Sequence, residues 1–258
     1  VTENLAGLEC LSGIPGLVGA TPIQNVGAYG SEVADVIEGV RVLDLVSLEE
    51  RTLDATACRF GYRSSAFRAS PGRFLVLSVT YRLRRGGRPR VEYRELRRRL
   101  GGDRPAPSLK EVRDTVLELR RAKSMVIDSG DPNHRSVGSF FVNPVVNREM
   151  LEAIRERALS ETEEAPAFPA GEDRFKIPAA WLIERAGFAK GDRRGPVGIS
   201  SAHALALVHH GGASTADVIA LAREIRDAVM RTFGIELQPE PVFLGFPTEN
   251  PLSNVVES

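Results

Sequence analysis

"RFLVLSVTYRL", residues 73–83, taken with "DVIEGVRVLD", residues 36–45, decides how this chain folds. Both stretches are rich in β-branched and aromatic residues and alternate in part between apolar and polar positions, as half-buried strands do. They are expected side by side in one antiparallel sheet. Further along, the period becomes helical. Ser108 opens SLKEVRDTVLELRRAK with Glu111 three residues later, a capping box, and Val112, Val116 and Leu119 follow on one face. The basic cluster at the end of this segment suits the helix dipole. A second helix, STADVIALAREIRDAVMRTFG, aligns Val218, Leu221, Ala222, Ile225, Ala228 and Val229 and stops at Gly234. Shorter helices are expected at 147–158 and 179–186, with ETEEAPAFPAGED as an exposed loop between them. The chain is thus a mixed α and β one, with a domain boundary near residues 125–133. Its last stretch, PTENPLSNVVES, is polar and aperiodic and reads as a frayed tail.

Composition limits the function. At 258 residues, 42% hydrophobic and 26% charged, the chain is a soluble globular one, long enough for two domains with a substantial core. Thirty-four basic residues balance thirty-four acidic ones, so no overall field draws it to nucleic acid or to an anionic membrane. Cys10 and Cys58 lack metal-ligand spacing and are too few for a disulfide scaffold, which fits a reducing cytoplasm and no bound metal. No run reaches the length of a membrane span, and no signal peptide opens the sequence. The chain starts on valine and runs almost at once into a dense glycine motif, as if from the middle of something longer.

Four stretches carry candidate chemistry. GIPGLVGATPIQNVGAYG, residues 13–30, holds five glycines and two prolines without a helix or strand period, which suits a flat or anionic cofactor packed on exposed amides. A glycine-rich surface loop is the plain alternative, and the pattern is neither a P-loop nor GxGxxG. In CRFGYRSSAFR, residues 58–68, Arg63 beside Tyr62 offers a planar fork for a carboxylate or phosphate, or else a solvated charge. In LQPEPVFLG, residues 237–245, Glu240 stands between two prolines. Apolar surroundings from Phe243 and Leu244 would raise its pKa; an exposed glutamate on an edge strand is the alternative. In SVGSFFVNPVV, residues 136–146, Ser139 lies between a glycine and two phenylalanines, where its hydroxyl either meets a specific partner or caps a turn. Residues 82–104 add ten arginines against three acids around Tyr93, a solvated face or a nucleic-acid groove, which salt dependence of binding would separate.

Taken in order, GIPGLVGATPIQNVGAYG, CRFGYR, VGSFFVNPVV, the WLIERAGF and SSAHALAL segments and LQPEPVFLG resemble the UDP-N-acetylenolpyruvoylglucosamine reductases, the MurB flavoenzymes, over residues 7–245. VEYRELR resembles the form of that family with a substrate-covering loop, Tyr93 matching the loop tyrosine. The resemblance implies an α+β fold. Residues 1–124 would be part of an FAD-binding domain with a mainly antiparallel sheet and 125–234 an α/β substrate-binding domain. Residues 235–246 would be a strand returning to the first domain, and 247–258 a flexible tail.

It also implies a cytoplasmic, monomeric enzyme of peptidoglycan precursor synthesis that uses FAD and NADPH to reduce UDP-N-acetylglucosamine enolpyruvate to UDP-N-acetylmuramate. Residues Gly13, Ile14, Pro15, Gly16, Gly19, Ala20, Gln24, Asn25, Gly27, Tyr29 and Gly30 would line the flavin. Arg63 and Glu240 would hold the enolate-like charge that develops on the substrate, and Ser139 would protonate the carbon. Tyr62, Tyr93, Lys123, Asn143 and His203 would contact substrate, while His134, His209 and His210 match nothing catalytic. Two departures carry expectations of their own. Phe168 stands where the family commonly has a tyrosine, so uridine diphosphate would lose a phenolic hydrogen bond. Nothing corresponds to the family's N-terminal FAD pyrophosphate domain. The chain is expected to be the later part of a longer reading frame or a shortened product that holds FAD weakly, even an inactive remnant.

Overall fold

The computed structural model describes residues 1–102, 107–158, 165–246 and 250–252, and packs into two units, Val1–Ile127 and Asp128–Ser258. The first unit contains β1 (Leu5–Ala6), β2 (Gly27–Ala28), β3 (Ser31–Glu32), β4 (Ile37–Asp44), β5 (Glu49–Asp54), β6 (Phe74–Tyr81) and β7 (Arg84–Arg85). Its helices are α1 (Ala66–Ala69), α2 (Arg94–Arg99) and α3 (Leu109–Ala122).

The two deciding stretches become β4 and β6, antiparallel neighbours in the sheet β5-β4-β6. Val40 and Val42 point into the core and Arg41 away from it, the period of two. On β6 the inward residues are Phe74, Val76, Val79 and Tyr81, with a step of three between the two valines. The register slips between Arg41 and Val42, and that bulge lets both valines face the same core and explains why alternation in the sequence is only partial. Strand β5 is an exposed edge made of EERTLD, whose charges discourage pairing with another chain. Helix α3 carries the expected capping box between Ser108 and Glu111 and buries Val112, Val116 and Leu119 against Leu96 and Leu100.

The second unit contains β8 (Ser136–Ser139), β9 (Val145–Asn147), α4 (Arg148–Arg157), β10 (Phe168–Pro169), β11 (Arg174–Lys176), α5 (Ala179–Arg185), β12 (Arg193–Arg194), β13 (Val197–Ile199), β14 (Ala206–His209) and α6 (Thr215–Phe233). Two antiparallel sheets, β12-β13-β14-β8 and β10-β11-β9, share one core with α4, α5 and α6. Ser214 and Asp217 form a capping box at the start of α6, and Gly234, left-handed at φ 73°, ends it. All named pairings are antiparallel, which suits an α+β fold.

Three expectations change. The loop expected at 161–173 has its first residues, 161–164, outside the described ones, and Phe168–Pro169 forms β10 because β11 offers an antiparallel partner. Residues 235–246 form no strand beyond the isolated bridge Phe141↔Pro239, and they run along residues 140–142 of their own unit. Pro239 and Pro241 bring no N–H, so a ladder cannot continue there. Of the tail expected at 247–258, residues 247–249 and 253–258 lie outside the described ones, while Leu252 is fully buried and Arg223 Nε donates to Pro251 O at 2.9 Å. An apolar side chain with a core to enter and a carbonyl held by a guanidinium keep that segment down.

Candidate functional site

The glycine-rich loop is positioned by what its glycines permit. Gly13 has φ +80°, and a Cβ there would stand 2.8 Å from Leu117 Cδ2, so only glycine lets the chain lie this close to α3. The loop's far end is fixed by Asn25. That side chain is buried, donates from Nδ2 to Glu32 Oε2 at 2.7 Å and to Gly61 O at 3.0 Å, and accepts from Ala34 N at 3.1 Å. The tip between them is open, with Leu17 81% and Val18 60% exposed. Gln24 accepts from Arg68 Nη1 at 3.1 Å. Ile14 is half-buried, and Pro15, Gly16 and Ala20 are exposed.

The FGYR motif meets this loop. Arg63 Nη2 donates to Gly27 O at 2.7 Å, with its guanidinium 5.5 Å from the centre of the Tyr62 ring. A Cβ on Gly27 would come within 3.3 Å of Arg63 Nη1 and within 2.9 Å of Ser31 O, so the residue must be glycine for the arginine to rest there. Beyond Gly27, Tyr29 meets Tyr93 edge to face with centroids 5.4 Å apart. Burial pushes the Tyr29 pKa up to about 12. Tyr93 is the N-cap residue of α2, and Lys123, at the end of α3, pairs with Glu95 on that helix at 2.7 Å.

In the second unit Ser139 ends β8 opposite Ala206 of β14. Among the described residues its hydroxyl makes no hydrogen bond. The local turn bond belongs to Ser136, whose Oγ accepts from Gly138 N at 3.3 Å. Phe140 and Phe141 follow as buried rings in edge contact, centroids 5.1 Å apart. Glu240 lies beside them, its N–H donating to Phe140 O at 2.8 Å. Glu240 is half-buried. Phe243 packs on Phe140 with centroids 6.4 Å apart, but Leu244 is 84% exposed. Asn143 spends its Oδ1 on the N–H of Ala179 at 2.8 Å, capping α5. His203 is half-buried on the turn before β14.

Some candidates hold the scaffold rather than a ligand. Asn25 uses its amide to tie the loop to Glu32, Ala34 and Gly61. The arginine-rich run is built into the first unit: Arg82 pairs with Glu38, Arg90 with Asp35 and Glu92, and Arg97 Nε donates to Val91 O. Residues 103 and 104 of that run lie outside the described ones. A residue the pattern did not single out is Arg120. It was readable only as part of the basic helix end, yet it falls four residues after Val116 on the apolar face and is buried. No His, Cys, Asp and Glu group among the described residues has the makings of a metal site.

The profile of the family described as UDP-N-acetylenolpyruvoylglucosamine reductase, C-terminal domain, matches residues 131–244. The UDP-N-acetylenolpyruvoylglucosamine reductase of Thermobifida fusca is 50% identical over 253 residues, which cover 95% of this chain and 70% of that protein. The chain belongs to this family. The reductase of Streptomyces coelicolor is 48% identical over 253 residues, 95% of this chain and 66% of its own. Among solved structures, UDP-N-acetylenolpyruvylglucosamine reductase (MurB) from Thermus caldophilus shares the fold with a TM-score of 0.57 at 24% identity, over 92% of this chain and 64% of the other. The MurB relatives are therefore longer proteins than the stretch described. No helix among the described residues is long and apolar enough to cross a membrane.

Proposed function

We propose that the protein reduces the enolpyruvyl ether of UDP-N-acetylglucosamine enolpyruvate to the lactyl ether of UDP-N-acetylmuramate, a cytoplasmic step of peptidoglycan precursor synthesis. In this reading residues 1–124 serve the cofactor, and residues 125–234 with the segment after them serve the substrate. The residues present fit a flat cofactor. The loop from Gly13 to Gly30 has an absent Cβ at Gly13 and exposed backbone at its tip, and beneath it the Nε of Arg120 is buried without a partner. FAD, when bound, would take hydride from NADPH and supply it to the substrate double bond.

The rest of the work falls to side chains. Reduction at the terminal carbon leaves negative charge on the neighbouring carbon and on the carboxylate, and the forked guanidinium of Arg63 suits that carboxylate. Glu240 would help to hold the same charge. Ser139 presents a hydroxyl free of local bonds, the state required of a proton donor to the carbanionic carbon. Phe140 and Phe141 keep water from that end of β8. Tyr93 and Lys123, joined through α2, would cover and hold the diphosphate, with Tyr62, Asn143 through its amide nitrogen, and His203 as further contacts.

The observation that carries this reading is the bond from Arg63 to Gly27 O, which joins the anion-binding motif to the glycine-rich loop. The test uses the full-length protein. It should purify with a flavin spectrum that NADPH bleaches and the enolpyruvyl substrate restores. A colourless protein, or a bleached one that the substrate leaves reduced, overturns the proposal.

A further inference from the structure

Helix α3 buries one cation. Arg120 is 9% exposed on the face that also carries Val112, Val116 and Leu119. A guanidinium taken out of water costs several kcal/mol unless a counter-charge meets it. Among the described residues no carboxylate reaches this one. Nη2 donates to Met125 O at 2.7 Å and lies 3.5 Å from Gly13 O, while Nε is buried and bonded to nothing. The titratable group facing it is Tyr29, which burial keeps neutral. Burial also pulls the arginine pKa below its ordinary value, yet arginine remains a cation throughout the usable pH range. The unused donor lies close beneath the loop, since Nε stands 3.4 Å from where a Cβ on Gly13 would be.

We propose that Arg120 completes a site for negative charge beneath the Gly13–Gly30 loop, and that the charge it receives is the one a flavin ring gains on reduction. The proposal rests on the flavin reading above. An oxidised, neutral ring that takes two electrons and one proton as hydride from NADPH ends with one negative charge. A buried cation without a counter-ion favours that charged form over the oxidised one, because the low local dielectric strengthens the attraction. Arg120 thus sets how readily the bound cofactor is reduced.

The measurement is the two-electron midpoint potential of the flavin-loaded full-length protein, by spectroelectrochemical titration. Arg120→Met removes the charge at similar length, and Arg120→Lys retains one. In R120M the reduced cofactor should lose at least tenfold in affinity relative to the oxidised one, a fall of about 30 mV for a two-electron couple. R120K should keep most of the wild-type potential. Sulfite, an anion that adds to oxidised flavin, reports the same charge without any variant. It should bind the wild-type protein at least tenfold more tightly than it binds free flavin. An unchanged potential in R120M, or wild-type sulfite affinity equal to that of free flavin, overturns the role given to Arg120 and leaves the flavin reading standing. A wild-type protein that takes up no flavin overturns both.

Discussion

Replacing Asn25 separates the two jobs its position does. The residue is left-handed at φ 48°, a region asparagine tolerates and alanine does not. Its amide makes three hydrogen bonds, one of them to a carboxylate. The bonds to Gly61 O and Ala34 N are each worth about 1 kcal/mol, and the one to Glu32 about 1.5–3 kcal/mol. Gly61 is exposed, so water replaces one of them at little cost. Forcing a Cβ-bearing residue other than asparagine into this backbone adds roughly 1–2 kcal/mol. Asn25→Ala should therefore lower stability by about 3.5–6 kcal/mol, and Asn25→Gly, which keeps the backbone but loses the bonds, by about 2.5–4 kcal/mol. Urea unfolding followed by circular dichroism, with the slope compared between variants, gives both values. Losses below about 1 kcal/mol in both variants, or glycine no better than alanine, would refute the strut role and return Asn25 to the ligand side.

Two further outcomes follow from the same loop. Gly27→Ala puts a Cβ 2.9 Å from Ser31 O and 2.8 Å from Glu32 Cγ, so it should cost about 1–3 kcal/mol and displace Arg63, lowering kcat and kcat/KM for the enolpyruvyl substrate; an unchanged kcat in steady-state kinetics counts against this. Tyr29 should ionise near pH 12, above the ordinary tyrosine value, when phenolate absorbance is followed in the folded protein. Because its folded pKa is raised above the unfolded value of about 10, its contribution to stability is complete below that pH and is lost as pH rises toward 12; a phenolate rise with no step near pH 12 in the folded protein would contradict the burial.

Much of this was legible in the chain because several local signals agree. The capping boxes at Ser108 and Ser214 and the αL glycine at 234 are short-range chemistry, and they place α3 and α6 within a residue. Strand β5 was invisible because EERTLD has no apolar alternation; it exists through its ladder with β4 and the pairing of Arg51 with Asp44. The 235–246 segment misled because its apolar residues look like a strand while its prolines forbid one. In the candidate site the motifs single out Arg63, Ser139 and Glu240 as proposed functional residues, but not the division of labour among neighbours. Whether an amide such as Asn25 faces a ligand or its own backbone depends on long-range partners such as Gly61, which spacing does not encode. Arg120 was hidden for a related reason: at a helix end an arginine looks like a dipole partner, and only its depth tells otherwise.

The central claim is that Ser139 gives a proton to carbon and takes no part in reducing the cofactor. Stopped-flow absorbance of the flavin in full-length Ser139→Ala reads the two halves in one instrument. Reduction by NADPH should run near the wild-type rate, and reoxidation by the enolpyruvyl substrate should slow by a factor of about 10²–10⁴, the range for loss of a positioned acid. Equal slowing of both halves, or of neither, would contradict the account.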